Sequence, residues 1–379
     1  MEIASAISFK DKVFKKNYLK CKNIVNKNLF DNKNFFYETL TKQYQKNILR
    51  NKVILKDNII FVGMGGSVLG AKMLNICNKS KKKFIFLDNL DSNFFKDFKK
   101  KISNCSIVVV SKSGSTLETL TNLNILIKKK YNFKNIIVVS SLYSDLHAFA
   151  VKFGCQFIEH PRDLSGRFSL LSIVNLIFFD FNKKDIISGI QSILNKKFFS
   201  VLIKNSSLII TLIKKNYNTN VSLIYSNKLL DFSFWYQQLL AESIGKKEND
   251  FLPFISVCPK DYHSLMQLYL GGKKNKFYTF FYIKKNNNIY FKDYFNNKKK
   301  TNLSSITNAQ FTACIETFRE KKLPYRIITL NSDTSIKEII ALSVYLMLET
   351  IVICKALNLN PFNQPDVESI KKKTREILT

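Results

Sequence analysis

Short apolar runs alternate with longer amphipathic stretches along this chain. The runs at residues 59–62, 84–87, 107–110, 136–139 and 156–158 carry Ile, Val and Phe in strand-length blocks. Apolar residues at helical spacing begin near Ser67, Asn93 and Ser115, between those blocks. A second series follows at 222–225, 254–257, 278–283 and 326–329, again with helical patterns between. Such alternation predicts parallel βαβ units, and two successive series predict two α/β sheets in tandem. The expected order is an N-terminal helical segment over 1–50, a first α/β domain over 51–185, a second over 186–335, and C-terminal helices over 336–379 packed on both. Residues 182–185 read as a polar hinge before another helix, and a long apolar helix is expected after Ser335 through Ala356. The Lys/Asn-rich stretch 284–300 reads as an exposed loop or hairpin connection, and the end of the chain as a basic helix after a Pro-containing turn.

A chain of 379 residues with 46% hydrophobic content suffices for two packed cores. The longest apolar stretches, 168–179 and 339–347, are too short to span a bilayer. An acidic Glu2 and the lack of an extended apolar run near it argue against a secretory signal. Seven cysteines (Cys21, Cys77, Cys105, Cys155, Cys258, Cys314 and Cys354) are scattered, odd in number and never in a Cys-x-x-Cys spacing. That distribution argues against a disulfide framework and against a zinc site. A cytoplasmic enzyme without metal or cofactor is expected.

The formal charge of +32 invites a nucleic-acid reading that the composition does not sustain. Of 60 basic residues only Arg50, Arg162, Arg167, Arg319, Arg326 and Arg375 are arginines; the lysines spread through surface segments with abundant Asn and Ile. An A+T-rich genome yields that mixture through its codons. No zinc finger, RRM signature or basic zipper accompanies the charge, so only salt-sensitive, non-specific polyanion binding is expected.

Two turns carry candidate chemistry. Ser111-Lys112-Ser113-Gly114-Ser115-Thr116-Leu117-Glu118-Thr119 follows the run 107–110 and precedes a helical pattern. A polar turn there places backbone N–H groups at a helix N-terminus, where an anion is favoured. Hydroxyls at Ser111, Ser113, Ser115 and Thr116 add donors without bulk, so the loop is suited to a dianionic phosphate. A plain Ser/Thr N-cap accounts for the same residues. The second turn, Gly63-Met64-Gly65-Gly66-Ser67-Val68-Leu69-Gly70, approaches G-x-G-x-x-G. Val68 stands where the dinucleotide fingerprint wants a small residue, which disfavours a nicotinamide dehydrogenase despite Asp88 after the next strand. Its glycines let backbone N–H groups approach a sugar or phosphate; a turn used only for packing is the alternative.

Four further segments complete the pattern: Asp163–Ser169 with Arg167, 235–246 with Glu242, 261–267 with His263, and 362–371 with Gln364 and Lys371. With these in order, the chain resembles the phosphoglucose isomerase family, built from two sugar-isomerase (SIS) domains, over roughly residues 58–372. The resemblance implies two doubly wound SIS-type domains with mainly parallel sheets flanked by helices. It implies a phosphate loop at Ser111, Lys112, Ser113, Ser115 and Thr116, continued by Thr119, and a sugar-contacting turn at Gly65, Gly66 and Ser67. It assigns Glu242 as base, Arg167 as the cation near the enediolate, His263 as the ring-opening group, Lys371 as its assistant at the ring oxygen, and Gln364 as a hydroxyl contact. It also implies a homodimer in which His263 reaches a neighbouring subunit's site. The sequence departs from the family where Ser165 replaces the first Gly before Arg167, and where Asn363, Asp366 and Ile370 replace Asp, Gly and Gly.

The residue types suit aldose–ketose isomerisation on their own terms. One carboxylate can move a proton between C2 and C1 of an open-chain sugar through a cis-enediol, a fixed cation stabilises the developing charge, and a histidine titrates in the range needed to open the ring. His147 and His160 match no catalytic motif and are expected to be structural. The expected reaction is glucose 6-phosphate to fructose 6-phosphate. Activity extending to mannose 6-phosphate, and a non-enzymatic SIS protein that senses sugar phosphates, are the alternatives.

Overall fold

The computed structural model describes residues 1–379 apart from 8–10, 31–32, 51–52, 94, 96–103, 128–131, 248–250, 285–288, 293–294, 296–300 and 379. The chain opens on a strand, β1 (Glu2–Ser5), where helix was expected. Its residues alternate between exposed and half-buried, so four positions carry too little apolar contrast to read as a strand. β1 lies antiparallel along the last strand, Glu2 opposite Thr329 and Ser5 opposite Arg326. The N-terminal helices follow at Lys12–Asn23, Phe35–Thr39 and Lys42–Ile48.

Two five-stranded sheets frame the molecule. The first contains β2 (Asn58–Gly63), β3 (Lys83–Leu87), β4 (Cys105–Ser111), β5 (Ile136–Ser140) and β6 (Gln156–Glu159), parallel throughout in the order β3-β2-β4-β5-β6. The second adds β7 (Thr219–Ile224), β8 (Leu252–Val257), β9 (Lys276–Ile283) and β12 (Tyr325–Leu330) to β1, in the order β1-β12-β9-β7-β8. Within the Lys/Asn-rich stretch, β10 (Tyr290–Phe291) pairs antiparallel with β11 (Thr301–Asn302) just beyond it. The helical pattern at Asn93 lies largely outside the described residues.

β4 and β5 are buried at every residue, as parallel strands covered on both faces must be. Their pleat divides the apolar residues between two layers. Val108, Val110, Ile137 and Val139 face the large central core, whereas Ile107, Val109, Ile136 and Val138 face a smaller one with Leu123 and Leu146. The central core is threaded by the helix Ile336–Ala356, which packs on Lys183–Ile193, Lys196–Lys214 and Leu230–Ile244. At 21 residues this helix is long and apolar enough to cross a membrane, which corrects the expectation drawn from 339–347 alone; nearly all of it is buried inside the protein. One buried ion pair pins it: Arg326 Nη1 donates to Glu349 Oε1 at 2.7 Å, Arg326 Nη2 to Tyr236 Oη at 3.0 Å, and Tyr345 Oη to the same Glu349 oxygen at 2.9 Å.

The apolar stretch 168–179 reads as a helix from its composition, but around Arg167 the chain forms 3₁₀ turns, Gly166–Leu171 and Leu176–Phe178. Local side chains account for this. Ser169 Oγ donates to Gly166 O, Ser172 Oγ to Ser169 O, and Asn175 Nδ2 also to Ser169 O, so the backbone has partners other than a continuous α-helical ladder.

Candidate active site

β2 and β4 are neighbours whose connections leave in opposite directions, and a cavity of about 710 Å³ opens at their carboxyl ends. The turn after β2 contributes Gly65, Gly66 and Ser67, and the loop after β4 contributes Lys112, Ser113 and Thr116. Arg167 comes from the 3₁₀ turn, Gln238 and Glu242 from the helix Leu230–Ile244, and Gln364 and Lys371 from the C-terminal segment.

The two glycine turns touch backbone to backbone. A Cβ on Gly66 would stand 2.6 Å from the Gly166 carbonyl carbon and 2.7 Å from Arg167 N, so only glycine permits this approach. The contact sets the height at which Arg167 enters the cavity. Ser165, the departure from the family pattern just before it, has φ −78° and ψ 147° and therefore needs no glycine. Ile370 is likewise unstrained, in the helix Glu368–Leu378 with its side chain exposed.

Arg167 is 1% exposed, and all five of its N–H donors meet protein oxygens. Nε donates to Ser243 Oγ at 2.9 Å; Nη1 donates to Glu242 Oε2 and Gln364 Oε1, both at 2.8 Å; Nη2 donates to the carbonyls of Pro361 at 2.6 Å and Asn363 at 3.0 Å. Burial pushes this guanidinium below its ordinary value, against the pull of Glu242. The second oxygen of Glu242, Oε1, accepts from Gln238 Nε2 at 2.8 Å. Both carboxylate oxygens are thus held while the group stays 29% exposed to the cavity.

In the loop after β4, Gly114 has φ +65°, and a Cβ there would lie 2.3 Å from Ser144 Oγ. Ser111 is buried; its Oγ shares a hydrogen bond with Thr116 Oγ1 at 2.9 Å and accepts from Gly114 N at 3.1 Å. Ser111 thus braces the loop from beneath, while Lys112, Ser113 and Thr116 face the cavity. Burial lowers the Lys112 ammonium, Asp163 opposes that, and Arg167 adds to it. Ser115 lies off the cavity, its carbonyl accepting from Arg375 Nη2 at 3.4 Å. Thr119 is fully buried in the helix Leu117–Ile127 and does not reach the cavity either.

His263 closes the 3₁₀ turn Lys260–His263, exposed and away from this chain's own cavity. His147 accepts from Tyr143 N at 3.2 Å, and His160 is buried with Nδ1 3.0 Å from Pro161 O. Two contributors carried no role in the sequence reading. Gln238 stands one helical turn before Glu242, an i,i+4 spacing that was visible in the sequence. Lys246 bonds the Asn360 carbonyl at 2.6 Å and Asn363 Oδ1 at 3.0 Å, which fastens the segment that presents Gln364; no local pattern announces that contact.

The sequence matches the family model described as Phosphoglucose isomerase over residues 25–257, a stretch that ends before His263, Gln364 and Lys371. It is 32% identical over 335 residues to the glucose-6-phosphate isomerase of Methanocaldococcus jannaschii, covering 83% of each chain. It is 32% identical over 353 residues to the enzyme of the same name from Campylobacter jejuni, covering 85% of each. Among solved structures, the fold superimposes on a hypothetical protein of Thermus thermophilus with a TM-score of 0.76 at 22% identity, covering 97% of this chain and 95% of that one. A glucose-6-phosphate isomerase from Chlamydia trachomatis gives a TM-score of 0.71 at 18% identity, covering 98% and 76%.

Proposed function

The chain belongs to the phosphoglucose isomerase family, and on that premise we propose that it interconverts glucose 6-phosphate and fructose 6-phosphate through a cis-enediol. The observation that carries this reading is Glu242. Among the described residues it is the only carboxylate lining the cavity that also holds the loop after β4. Shuttling a proton between C2 and C1 requires one base within reach of both carbons, with the sugar's far end fixed. Lys112, Ser113, Thr116 and the loop's backbone N–H groups hold the phosphate; Gly65, Gly66 and Ser67 meet the sugar.

Arg167 has a double task in this reaction. In the resting site its Nη1 is shared by Glu242 and Gln364. When Glu242 takes the proton from C2 it becomes neutral, and its charge-assisted bond to Arg167 weakens. The guanidinium charge is then available to the enediolate at the moment that negative charge develops. Lys371 assists at the ring oxygen, and Gln364 orients a substrate hydroxyl.

Ring opening falls to His263 of the partner subunit in a homodimer. Two features support this arrangement: Phe234, Leu252, Phe254 and Leu268 are exposed apolar side chains, and a second hollow beside Phe234 reaches Glu242 and Gly65 from the other side. None of the seven cysteines is joined in a disulfide, which fits a reducing cytoplasmic compartment.

A coupled assay for glucose 6-phosphate formed from fructose 6-phosphate tests the activity; a folded protein without turnover would refute it. For the shared site, Glu242→Gln and His263→Ala chains are mixed, dissociated and reassociated. Mixed dimers with one intact site should regain activity, and a mixture no more active than its components would place His263 outside the site.

A further inference from the structure

The second sheet repeats the connectivity of the first. β2 leads to β3 on one side while β4 leads to β5 on the other; β7 leads to β8 on one side while β9 leads to β12 on the other. The candidate active site stands at the carboxyl ends of β2, β4 and β5. The matching crevice, at the carboxyl ends of β7, β9 and β12, also contains a cavity, of about 380 Å³. Among the described residues, the two cavities have no lining residue in common. A crevice at such a switch point is where open α/β sheets take ligands, and this volume lies in the range of small-molecule pockets, roughly 300–1,000 Å³.

Its lining has a definite chemistry. Lys228, in the turn after β7, and Lys284, directly after β9, bring two ammonium groups to the cavity. Lys284 contacts Glu2 at 3.3 Å, but both side chains are more than half exposed, so that pair holds the lysine only weakly. From the loop after β12 come Ser332 and Thr334, half-buried hydroxyls 3.3 Å apart. The helix Ile336–Ala356 begins just beyond them, and its N-cap residue, Ser335, makes no side-chain cap bond. Of the nearby carboxylates, Glu338 is already matched by the Met1 ammonium at 3.1 Å and by the backbone N–H groups of Asn331 and Ser332, both at 2.9 Å. Asp333 accepts from Ser226 Oγ at 2.6 Å and keeps acceptor capacity toward the cavity.

We propose that this cavity binds a second small phosphorylated ligand, apart from the substrate. Lys228, Lys284 and the hydroxyls of Ser332 and Thr334 hold its phosphate, and Asp333 accepts from hydroxyl groups on the remainder. The inference rests on the geometry of this cavity and goes beyond the activity assigned to the first one.

The probes are inorganic phosphate in solution and tungstate in crystals, where its anomalous signal locates a tetrahedral dianion. Phosphate binding to the native protein should resolve two sites. The variant Lys228→Ser/Lys284→Ser should lose one of them by about tenfold or more in affinity, while kcat and KM for fructose 6-phosphate stay unchanged. A charge-matched control, Lys196→Ser/Lys197→Ser, should keep both sites, which separates a built site from the general attraction of a +32 protein. Tungstate should appear beside Lys228 and Lys284. Its absence there, or equal phosphate binding by the two variants, overturns the proposal. A tungstate peak beside Lys112 and Thr116 reports separately on the first cavity.

Discussion

Arg167 and Glu242 meet through a single nitrogen: Nη1 donates to Glu242 Oε2 at 2.8 Å, and the same nitrogen donates to Gln364 Oε1 at 2.8 Å. The side chain is buried to 1% exposure and has no idle donor. It therefore ties the helix that carries the proposed base to the C-terminal segment that closes the site, across 75 and 197 residues of chain respectively.

Arg167→Lys keeps the charge but replaces a planar fork of five donors with three on one point. Glu242, Gln364 and the carbonyls of Pro361 and Asn363 cannot all be served by it. Turnover should fall by about 10²–10³, in line with the loss of a preorganised donor to a developing anion. The coupled assay measures it, and circular dichroism checks that the variant is folded. Near-native kcat would show that charge alone suffices at this position.

Gly66→Ala should be costly out of proportion to its size. The added carbon would stand 2.6 Å from backbone atoms that cannot swing away, so the two turns must part. Overpacking of this kind costs roughly 1–3 kcal/mol, to be read from urea denaturation, and activity should fall further because Arg167 rides on the displaced turn.

Much of this could be read from the sequence, for identifiable reasons. Parallel strands buried on both faces leave nearly unbroken apolar runs, so β2, β4 and β5 announce themselves. The glycine turns and the loop at 111–116 were legible because small and hydroxyl residues there stand next to strand ends. β1 was not legible, since an exposed edge strand of four residues lacks a hydrophobic signature. The 3₁₀ turns after Arg167 were hidden for the opposite reason: the segment is mostly apolar, and its conformation is decided by its few polar residues, Ser169, Ser172 and Asn175, bonding to backbone. Within the site, the sequence could not separate hydroxyls that face the cavity from those that brace the loop. Ser111 and Thr116 are five residues apart and hydrogen-bonded, yet only Thr116 lines the cavity.

Glu349→Gln should destabilise the fold strongly while leaving the substrate site intact. Arg326 and Glu349 are 2% and 1% exposed, and removing one charge strands the other in the core. Breaking a buried pair in this way costs roughly 3–5 kcal/mol, measurable as a lower urea midpoint. Little change would mean that Tyr236 and Thr279, which accepts from Arg326 Nε at 3.1 Å, suffice to hold Arg326.

His160 gives the fold an acid sensitivity of known sign. Burial lowers its pKa from 6.5 to about 4, so the unfolded chain takes up this proton well before the folded protein does. Its contribution is complete above pH 6.5, is lost as the pH falls toward 4, and is level below that. The loss across that window is about 3 kcal/mol. His160→Gln should flatten the dependence by that amount, seen by comparing urea denaturation of variant and native protein at neutral and acid pH. An unchanged pH profile would mean that His160 titrates alike in both states.

The central claim is that Glu242 carries the proton between C2 and C1, and isotope exchange in deuterated water tests it most directly. The native enzyme, converting fructose 6-phosphate, should place deuterium at C2 of the glucose 6-phosphate formed. Glu242→Gln keeps the size of the side chain and one oxygen to accept from Arg167, while its –NH2 can no longer accept from Gln238 and the amide cannot take the proton. Turnover and exchange should both fall by about 10²–10⁴, while substrate still binds through Lys112, Ser113 and Thr116. Near-normal turnover with deuterium incorporation in that variant would contradict the account and assign the base elsewhere.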